Sequence, residues 1–440
     1  MRFLPNIDKI LRTVLALGLI VSTTPALSKN LQIHGSNTIG ATLMPTLVEA
    51  WLTDRGYQVI DNRLTAENER LMSASHTIHG ALDITIHAHG SGTAFKGILA
   101  NAADLGMASR PIKPSERSDV AHIADLTESG KEIVVGLDGI AVVVHPSNPI
   151  NHLTIDQLRA IFSGQVTNWS ELGGTPRPIQ VYARDNKSGT FDTFKSLVLG
   201  KKATLASRAK RYESNDQLSD DVAADLNGIG FTGLPSVRRS KPLAIAEGDN
   251  TPILPSELSV ATEDYPLSRR LFLYNPFNDE PLLRDLVQFV KSQKGQQQVA
   301  KVGFISQNIA PYEVGVDSRA PSNYKATVQG AERLSLNFRF KPREYQLDNK
   351  ALQDVDRLVD FLQKNPQYKV VLAGFSDAAE EAAWRSYILS MERSDFVANQ
   401  LIKKGIVPSV VRGFGSTLQV ASNHSEKGRD KNRRVEVWVR

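Results

Sequence analysis

Short apolar runs alternate with amphipathic helical patterns over residues 30–312. The runs that predict strands are 31–35, 81–89, 131–145, 178–184, 228–233 and 269–275. Helical spacing of apolar residues follows the first two runs, and such alternation is typical of α/β domains with mostly parallel sheets. The runs at 131–145 and 269–275 predict two crossings between lobes. One lobe would then comprise about 30–138 plus 267–312, and the other about 139–266.

The carboxy-terminal part shows a different, β-α-β-α-β pattern over residues 333–440. Apolar positions at helical spacing occupy 352–362, strand patterns occupy 369–375 and 434–439, and a second helix is predicted near 396–402. The preceding segment, 316–332, contains Gly, Pro, Ser and Asn and has neither periodicity. It is predicted to be a linker after a first domain that ends near residue 315.

The first 28 residues have the layout of a secretory signal peptide. Arg2, Lys9 and Arg12 precede an apolar run, and small residues at Ala26 and Ser28 follow it. The run is shorter than the roughly 20 residues that span a bilayer, so a retained membrane helix is the weaker interpretation. We therefore expect export to the periplasm and no transmembrane span in the mature chain.

Composition excludes several kinds of protein. Hydrophobic residues make up 41% and charged residues 22%, as in soluble globular domains. The net charge of +5 is dilute over 440 residues, and its basic excess lies after residue 333, so we expect no nucleic-acid partner. The chain has no cysteine, which excludes disulfides, thiolate metal sites, cysteine nucleophiles and lipidation on cysteine.

Three segments share a layout in which a strand ends in Gly and hydroxyl residues and a helix begins. They are "HGSNTIG" (34–40), "HGSGTAF" (89–95) and "RDNKSGTFDTF" (184–194). Helix amino termini attract anions through unpaired N–H groups, and Ser and Thr hydroxyls can donate further hydrogen bonds. Arg184 adds a guanidinium that can hold two oxygens of one anion. A single such loop is more simply a capped helix, but three together predict one site for a tetrahedral oxyanion.

The first domain resembles the PstS-like phosphate-binding proteins of ABC importers. "GSNTIG", "HGSGTAFKGILANAADLGMASRPI", "LTIDQLRAIFSGQVTNWSELGG" and "YARDNKSGTFDTF" occur in the family's order. The resemblance implies a type II-like, two-lobed fold with a hinge, inorganic phosphate or a similar oxyanion as ligand, a permease partner and no cofactor. Position by position, it implies oxyanion ligands at Ser36, Thr38, Ser91, Arg110, Arg184, Ser188, Gly189 and Thr190.

One of these positions departs from the best-studied branch of the family. That branch has an Asp that accepts the proton of hydrogen phosphate, whereas "DLGMASR" places Arg110 there. Arginine has no acceptor. Phosphate is the first expected ligand, and sulfate or another oxyanion stays open.

Two rival interpretations concern metal binding and catalysis. His76, His79, His87 and His89 lie within fourteen residues and could bind a metal, but we find no carboxylate at a familiar ligand spacing and predict no metal site. Ser188 lies near Asp185, as a hydrolase could require, but no "GxSxG" elbow is present. We therefore expect a binding protein without catalytic residues, and Asp138 as a polar residue of the crossing.

Residues 333–440 resemble the OmpA-like peptidoglycan-binding domain, through "GFSD", "ILSMERSDFVANQLIKKGI", "VRGFGS" and "GRDKNRRVEVWV". The resemblance implies that Asp377 and Arg393 hold the diaminopimelate of the cell wall, with Arg433 nearby. The usual "TDxxG" reads "SDAAE", and an Asn of the family is Ser386 here, so an altered pocket stays open.

The expected protein is a periplasmic oxyanion-binding protein, tethered to peptidoglycan at the outer membrane. The alternative is a wall-associated scaffold or sensor whose lobes no longer serve transport.

Overall fold

The computed structural model describes residues 29–440 except 187, 202, 278, 341–345 and 379–382. The predicted signal peptide, 1–28, lies outside the described residues. No helix among those described is both long enough and apolar enough to pass through a bilayer.

The first domain contains strands β1 to β14 and helices α1 to α10. The strands are β1 (Lys29–Gly35), β2 (Gln58–Ala66), β3 (Glu69–His76), β4 (Gly80–His87), β5 (Leu105–Ala108), β6 (Glu132–Val144), β7 (His152–Thr154), β8 (Gln180–Arg184), β9 (Lys210–Tyr212), β10 (Gly228–Gly233), β11 (Lys241–Pro242), β12 (Ala244–Ala246), β13 (Ser268–Tyr274) and β14 (Pro311–Tyr312). The helices are α1 (Asn37–Gly40), α2 (Leu43–Asp54), α3 (Ser91–Leu99), α4 (Pro114–Val120), α5 (Ile155–Ser163), α6 (Gly189–Phe194), α7 (Asn215–Ala224), α8 (Glu257–Ala261), α9 (Pro281–Lys291) and α10 (Gln293–Val302).

One long strand, β6, joins the two lobes. Its first half pairs antiparallel with β13, and its second half, from Ile140, pairs antiparallel with β10. The sheet order is β2-β3-β4-β1-β5-β13-β6-β10-β8-β9, with β11 also on β6. Nearly all of β6 is buried, which explains its continuous apolar sequence. The two-lobed α/β fold predicted from the sequence is confirmed, but the expectation of mostly parallel sheets was wrong, because the main sheet has more antiparallel than parallel pairs among the described strands.

Each lobe has its own apolar core. In the first lobe, α2, α9 and α10 cover one face of the sheet around Trp51. In the second lobe, α5 and α6 pack around the stacked rings of Phe194 and Phe231, whose centroids lie 4.0 Å apart. Parallel pairing of β1 with β4 and β5, and of β8 with β10, sets the ends of these strands side by side. The loops that follow the strands can therefore meet between the lobes.

The carboxy-terminal domain is a second sheet covered by helices. Its elements are α11 (Ser322–Val328), β15 (Glu332–Arg339), α12 (Asn349–Lys364), β16 (Val370–Gly374), α13 (Ala383–Ile402), β17 (Val410–Gly413), α14 (Glu426–Asn432) and β18 (Arg434–Val439). The sheet order is β14-β15-β18-β16-β17, so the end of the first domain supplies an edge strand. The structure adds β17 and α14 to the elements predicted from the sequence.

One expectation about local structure was wrong, and one pair of strands was missed. Part of the predicted linker, 316–332, forms helix α11, whose Tyr324 and Val328 pack into the core of the carboxy-terminal domain. The sequence analysis also missed the hairpin of β2 and β3. Most β2 side chains are exposed, so the hairpin lacks the apolar run by which the other strands were found.

Buried ion pairs join the two domains. Arg270 on β13 donates to both carboxylate oxygens of Glu263, at 2.5 and 2.8 Å, and lies 2.8 Å from the Asp348 carboxylate of the carboxy-terminal domain. From that domain, Arg339 reaches Asp264 at 3.0 Å, and Asn349 donates to the Thr127 carbonyl at 2.9 Å. The domains therefore dock beside the strand that crosses between the lobes.

Candidate functional sites

The first predicted loop is fixed where β1 gives way to α1. Ser36 is the N-cap residue of this helix, is buried, and donates its backbone N–H to the Met107 carbonyl at 2.9 Å. Gly35 has φ of 142°, and a side chain there would collide with the Met107 backbone. Glycine thus allows the loop to lie directly against the end of β5.

The second predicted loop lies beside the first. Ser91 begins α3, and its Oγ accepts the backbone N–H of Ser109 at 3.0 Å and lies 3.3 Å from the Ser109 Oγ. Ser109 directly follows β5. The first two loops are therefore both tied to the same strand end.

The third predicted loop comes from the other lobe and touches the first. Ser188 caps α6 by accepting the Phe191 N–H at 3.4 Å, and Thr190 lies in the first turn of that helix. A Cβ on Gly189 would collide with Thr38 of the first loop. Glycine at this position therefore permits close contact between the lobes.

Arg269, which the sequence analysis missed, connects all three loops. Its Nη2 donates to the Thr38 Oγ1 at 2.9 Å and to the Gly189 carbonyl at 3.0 Å. Its Nη1 donates to the Ser109 Oγ at 3.1 Å, which links it to Ser91. The Arg269 side chain is only 10% exposed. One buried guanidinium thus binds groups from both lobes.

Asp138 balances the charge of this guanidinium. Arg269 Nε lies 3.3 Å from Asp138 Oδ2, which also accepts the Thr193 hydroxyl at 3.1 Å. Burial lowers the pKa of Arg269 overall, and Asp138 offsets only part of this effect. The guanidinium nevertheless stays charged, because arginine is not deprotonated in proteins. Asp138 is therefore the carboxylate partner of Arg269 as well as a polar residue of the strand that crosses between the lobes.

The arrangement is suited to donate hydrogen bonds to an anion. The Thr38 hydroxyl accepts from Arg269 and so retains its own proton for donation, and of the Ser91 and Ser109 hydroxyls, which bond each other, one retains its proton. Bonds from a cation polarise a hydroxyl and strengthen the bond that it donates in turn.

Arg184 is held at the rim of the third loop. Its Nε donates to the Tyr212 carbonyl at 3.2 Å and its Nη2 to the Glu213 carbonyl at 2.6 Å. Burial lowers the pKa of Arg184 overall, although the charges of Asp185 and Glu213 offset part of this effect. Among the described residues, these hydrogen bonds use Nε and Nη2, and none uses Nη1.

Arg110 is engaged elsewhere than at the loop hydroxyls. Its Nη1 and Nη2 donate to the two carboxylate oxygens of Glu116 at 2.8 and 2.7 Å, and its guanidinium lies 5.7 Å from the centre of the Phe95 ring. Burial raises the pKa of Glu116, but the hydrogen bond from Arg110 and other contacts lower it overall. The bidentate pair directs Arg110 towards α4.

The predicted wall-binding residues gather near the end of β16. Asp377 is buried and accepts a hydrogen bond from Arg433, which also donates to Glu426 at 2.8 Å. Burial lowers the pKa of Arg433, but the carboxylates of Glu426, Asp430 and Asp377 outweigh this effect and raise it overall. Arg393 Nη1 donates to the Phe375 carbonyl at 3.3 Å, two residues before Asp377. The three residues are therefore grouped at one strand end.

The departures from the family pattern lie beside this group. Ser376 and Ser386 are both buried, and the Ser376 backbone N–H donates to the Gly415 carbonyl at 2.9 Å. Residues 379–382 of the "SDAAE" loop and its continuation lie outside the described residues.

The predicted histidine group is divided between two ends of one hairpin. His76 and His79 stack beside the turn, with ring centroids 4.6 Å apart. His87 and His89 lie at the other end with Glu69. No carboxylate lies at a familiar ligand spacing in the sequence, but strand pairing brings Glu69 directly opposite His87.

Two lobes joined by crossing strands, with glycine- and hydroxyl-rich loops meeting between them, define a two-lobed solute-binding protein. A family model described as PBP superfamily domain matches residues 71–294, and the OmpA family matches residues 339–433. The chain therefore belongs to the PBP superfamily and carries an OmpA-family domain at its carboxy-terminal end.

Individual relatives agree with this assignment. The phosphate-binding protein PstS of Pseudomonas aeruginosa is 32% identical over 242 residues, covering 51% of this chain and 74% of the relative. Protein SphX of Synechococcus elongatus is 30% identical over 271 residues, covering 58% and 77%. The structure of a possible phosphate binding protein from Planctomyces limnophilus shares the fold, with 24% identity, a TM-score of 0.52 and coverage of 69% and 96%.

Proposed function

We propose that this chain is a periplasmic binding protein for inorganic phosphate. The observation that carries the proposal is the contact of Arg269 with Thr38 and Ser109 on one lobe and Gly189 on the other. A buried cation surrounded by hydroxyls and helix starts favours an anion with several acceptor oxygens. The names of the PstS relatives identify phosphate as the first such ligand to test.

The proposed ligand set extends the one expected from sequence. The first lobe contributes Ser36, Thr38 and Ser91. The second lobe contributes Ser188, Gly189 and Thr190. Arg184 contributes its Nη1 group, and Arg269 is added at the centre. Arg110 acts at most indirectly, because Glu116 compensates its charge. Binding of one anion by both lobes would hold them together, and no catalytic step is part of the proposal.

The proposed role is that of the substrate-binding component of an ABC importer. Residues 1–28 would direct export, and the OmpA-family domain would attach the protein to peptidoglycan near the outer membrane. Asp377, Arg393 and Arg433 support this attachment, because a carboxylate and two guanidiniums lie at one strand end. A diaminopimelate side chain offers an ammonium and a carboxylate as complementary groups.

Calorimetric titration of the full chain tests the binding proposal. Phosphate, arsenate and sulfate are titrated at two pH values into the wild type, Thr38→Ala and Thr53→Ala. Thr53 is an exposed residue of α2 in the same lobe and serves as the matched control. We expect phosphate binding that Thr38→Ala weakens and Thr53→Ala leaves unchanged. A wild type that binds none of the three anions would contradict the proposal.

An uptake measurement distinguishes a role in phosphate transport from a role as a scaffold or sensor. Cells lacking the gene are complemented with the wild type or with Thr38→Ala, and uptake of radioactive phosphate is followed. Restoration by the wild type alone supports the importer role. If purified protein binds phosphate but uptake does not depend on it, the sensor or scaffold role is favoured.

A further inference from the structure

Three metal-binding side chains meet at the end of the β3–β4 hairpin. His87 Nδ1 lies 3.2 Å and His89 Nε2 3.0 Å from the same oxygen of Glu69, Oε1. All three donor atoms lie within 4.8 Å of one another. Tetrahedral zinc, with bonds of about 2.0–2.1 Å, holds its donor atoms about 3.3 Å apart. The two separations from Glu69 Oε1 are close to that value.

The backbone fixes these side chains. Glu69 and His87 are directly opposite in the antiparallel pairing of β3 with β4, so their side chains extend from the same face. The pairing continues past the strand end, where the Ala88 N–H donates to the Asn68 carbonyl at 2.8 Å. His89 is followed by Gly90, whose N–H donates to the Gly35 carbonyl at 2.7 Å. Each donor is therefore anchored by its own strand or loop.

Accessibility also fits an exchangeable cation. The side chains of His87 and Glu69 are partly exposed and that of His89 is more exposed. A third imidazole, that of His34, lies opposite His87 on β1, with ring centroids 4.4 Å apart. Two imidazoles and one carboxylate form a donor set that suits zinc and neighbouring transition metals.

We propose that Glu69, His87 and His89 form a binding site for one divalent transition-metal cation, with zinc as its principal occupant. The metal would bridge β3 to the loop that carries Ser91. The competing explanation is a plain ion pair between Glu69 and protonated histidines, which would bind no metal.

Zinc binding by the full chain decides between these explanations. The protein is stripped with a chelator and titrated with Zn²⁺ by calorimetry, and bound metal is counted by elemental analysis after dialysis. We expect one zinc per chain. His87→Ala and Glu69→Gln should each weaken binding at least about tenfold, since even loss of a residue that merely supports a ligand costs 10–100-fold.

The other histidine pair provides the matched control. The double variant His76→Ala/His79→Ala removes two imidazoles from the opposite end of the same hairpin and should retain zinc binding. Absence of zinc binding in the wild type, or its retention in a folded Glu69→Gln variant, overturns the proposal. So does loss of binding in the control variant alone. Glu69→Gln preserves side-chain shape, and its thermal unfolding without metal shows whether it folds like the wild type.

Discussion

Arg269 and Arg270 are consecutive residues of β13, and their side chains extend from opposite faces of the sheet. Arg269 bonds Thr38, Ser109 and Gly189 between the lobes. Arg270 pairs with Glu263 and with Asp348 of the carboxy-terminal domain. Because side chains alternate along a strand, one strand contributes both to the candidate oxyanion site and to domain docking.

Replacement of Arg269 should weaken phosphate binding. Arg269→Ala removes a charged donor, which is worth roughly 1.5–3 kcal/mol, or about 10–150-fold in the dissociation constant. Calorimetry against Arg238→Ala checks this, because Arg238 pairs with Asp216 and Asp220 on the surface of the second lobe. Equal affinities in the two folded variants would remove Arg269 from the site.

Replacement of Arg184 should have a similar but separable effect. We expect Arg184→Ala to weaken phosphate binding by roughly 1.5–3 kcal/mol if its Nη1 binds the anion. Ser91→Ala should cost less, because its hydroxyl is a neutral donor. Arg184 also donates to two backbone carbonyls, so its replacement could destabilise the fold. The thermal unfolding of the Arg184→Ala variant is therefore measured as well. Unchanged affinity would restrict Arg184 to this structural role.

Removal of the Asp138 charge should favour sulfate. In Asp138→Asn, Arg269 loses its carboxylate partner and the site becomes more positive. The affinity for sulfate, titrated by calorimetry, should rise relative to wild type. A folded variant with unchanged or weaker sulfate binding would show that the Asp138 charge does not act on the ligand.

The stability that the ion pairs between the domains contribute should be lost at acid pH. Burial raises the pKa of Glu263, but Arg270, Lys350 and Arg339 hold it at about 2, below the ordinary 4.5. A depressed pKa contributes stability above the unfolded value, which is lost as pH falls through the folded one. The free energies of unfolding of wild type and Glu263→Gln should differ by about 3 kcal/mol at pH 7. Denaturant titrations should find this difference shrinking between pH 4.5 and 2, and a pH-independent difference would contradict the assignment.

The proposed tether is tested by sedimentation of the full chain with purified peptidoglycan. Asp377→Ala and Arg393→Ala should each reduce binding at least about tenfold, since both residues are buried and a hydrogen bond to a charged group contributes about 1.5–3 kcal/mol. Asp360→Ala, an exposed change on α12, is the control. High salt weakens diffuse attraction to the basic domain first. If moderate salt releases the wild type and both variants alike, a specific pocket is absent.

The sequence predicted the elements whose burial gives them a continuous apolar pattern, such as β6 and β13. It missed the hairpin of β2 and β3, whose first strand is mostly exposed, and α11, whose buried residues include only Tyr324 and Val328. The loops were found because each carries its Gly and hydroxyl residues within a few positions. Arg269 was missed because its role depends on lying opposite Asp138, 131 residues away, and Glu69 because it meets His87 only through strand pairing.

A crystal structure of the full chain grown with phosphate tests the central claim most directly. The account predicts one phosphate between the lobes, within hydrogen-bonding distance of Thr38, Ser91 and the amino-terminal end of α6, with Arg269 beside it. A phosphate bound elsewhere, or a closed contact of Thr38 with Gly189 that excludes phosphate at saturating concentration, would contradict the account.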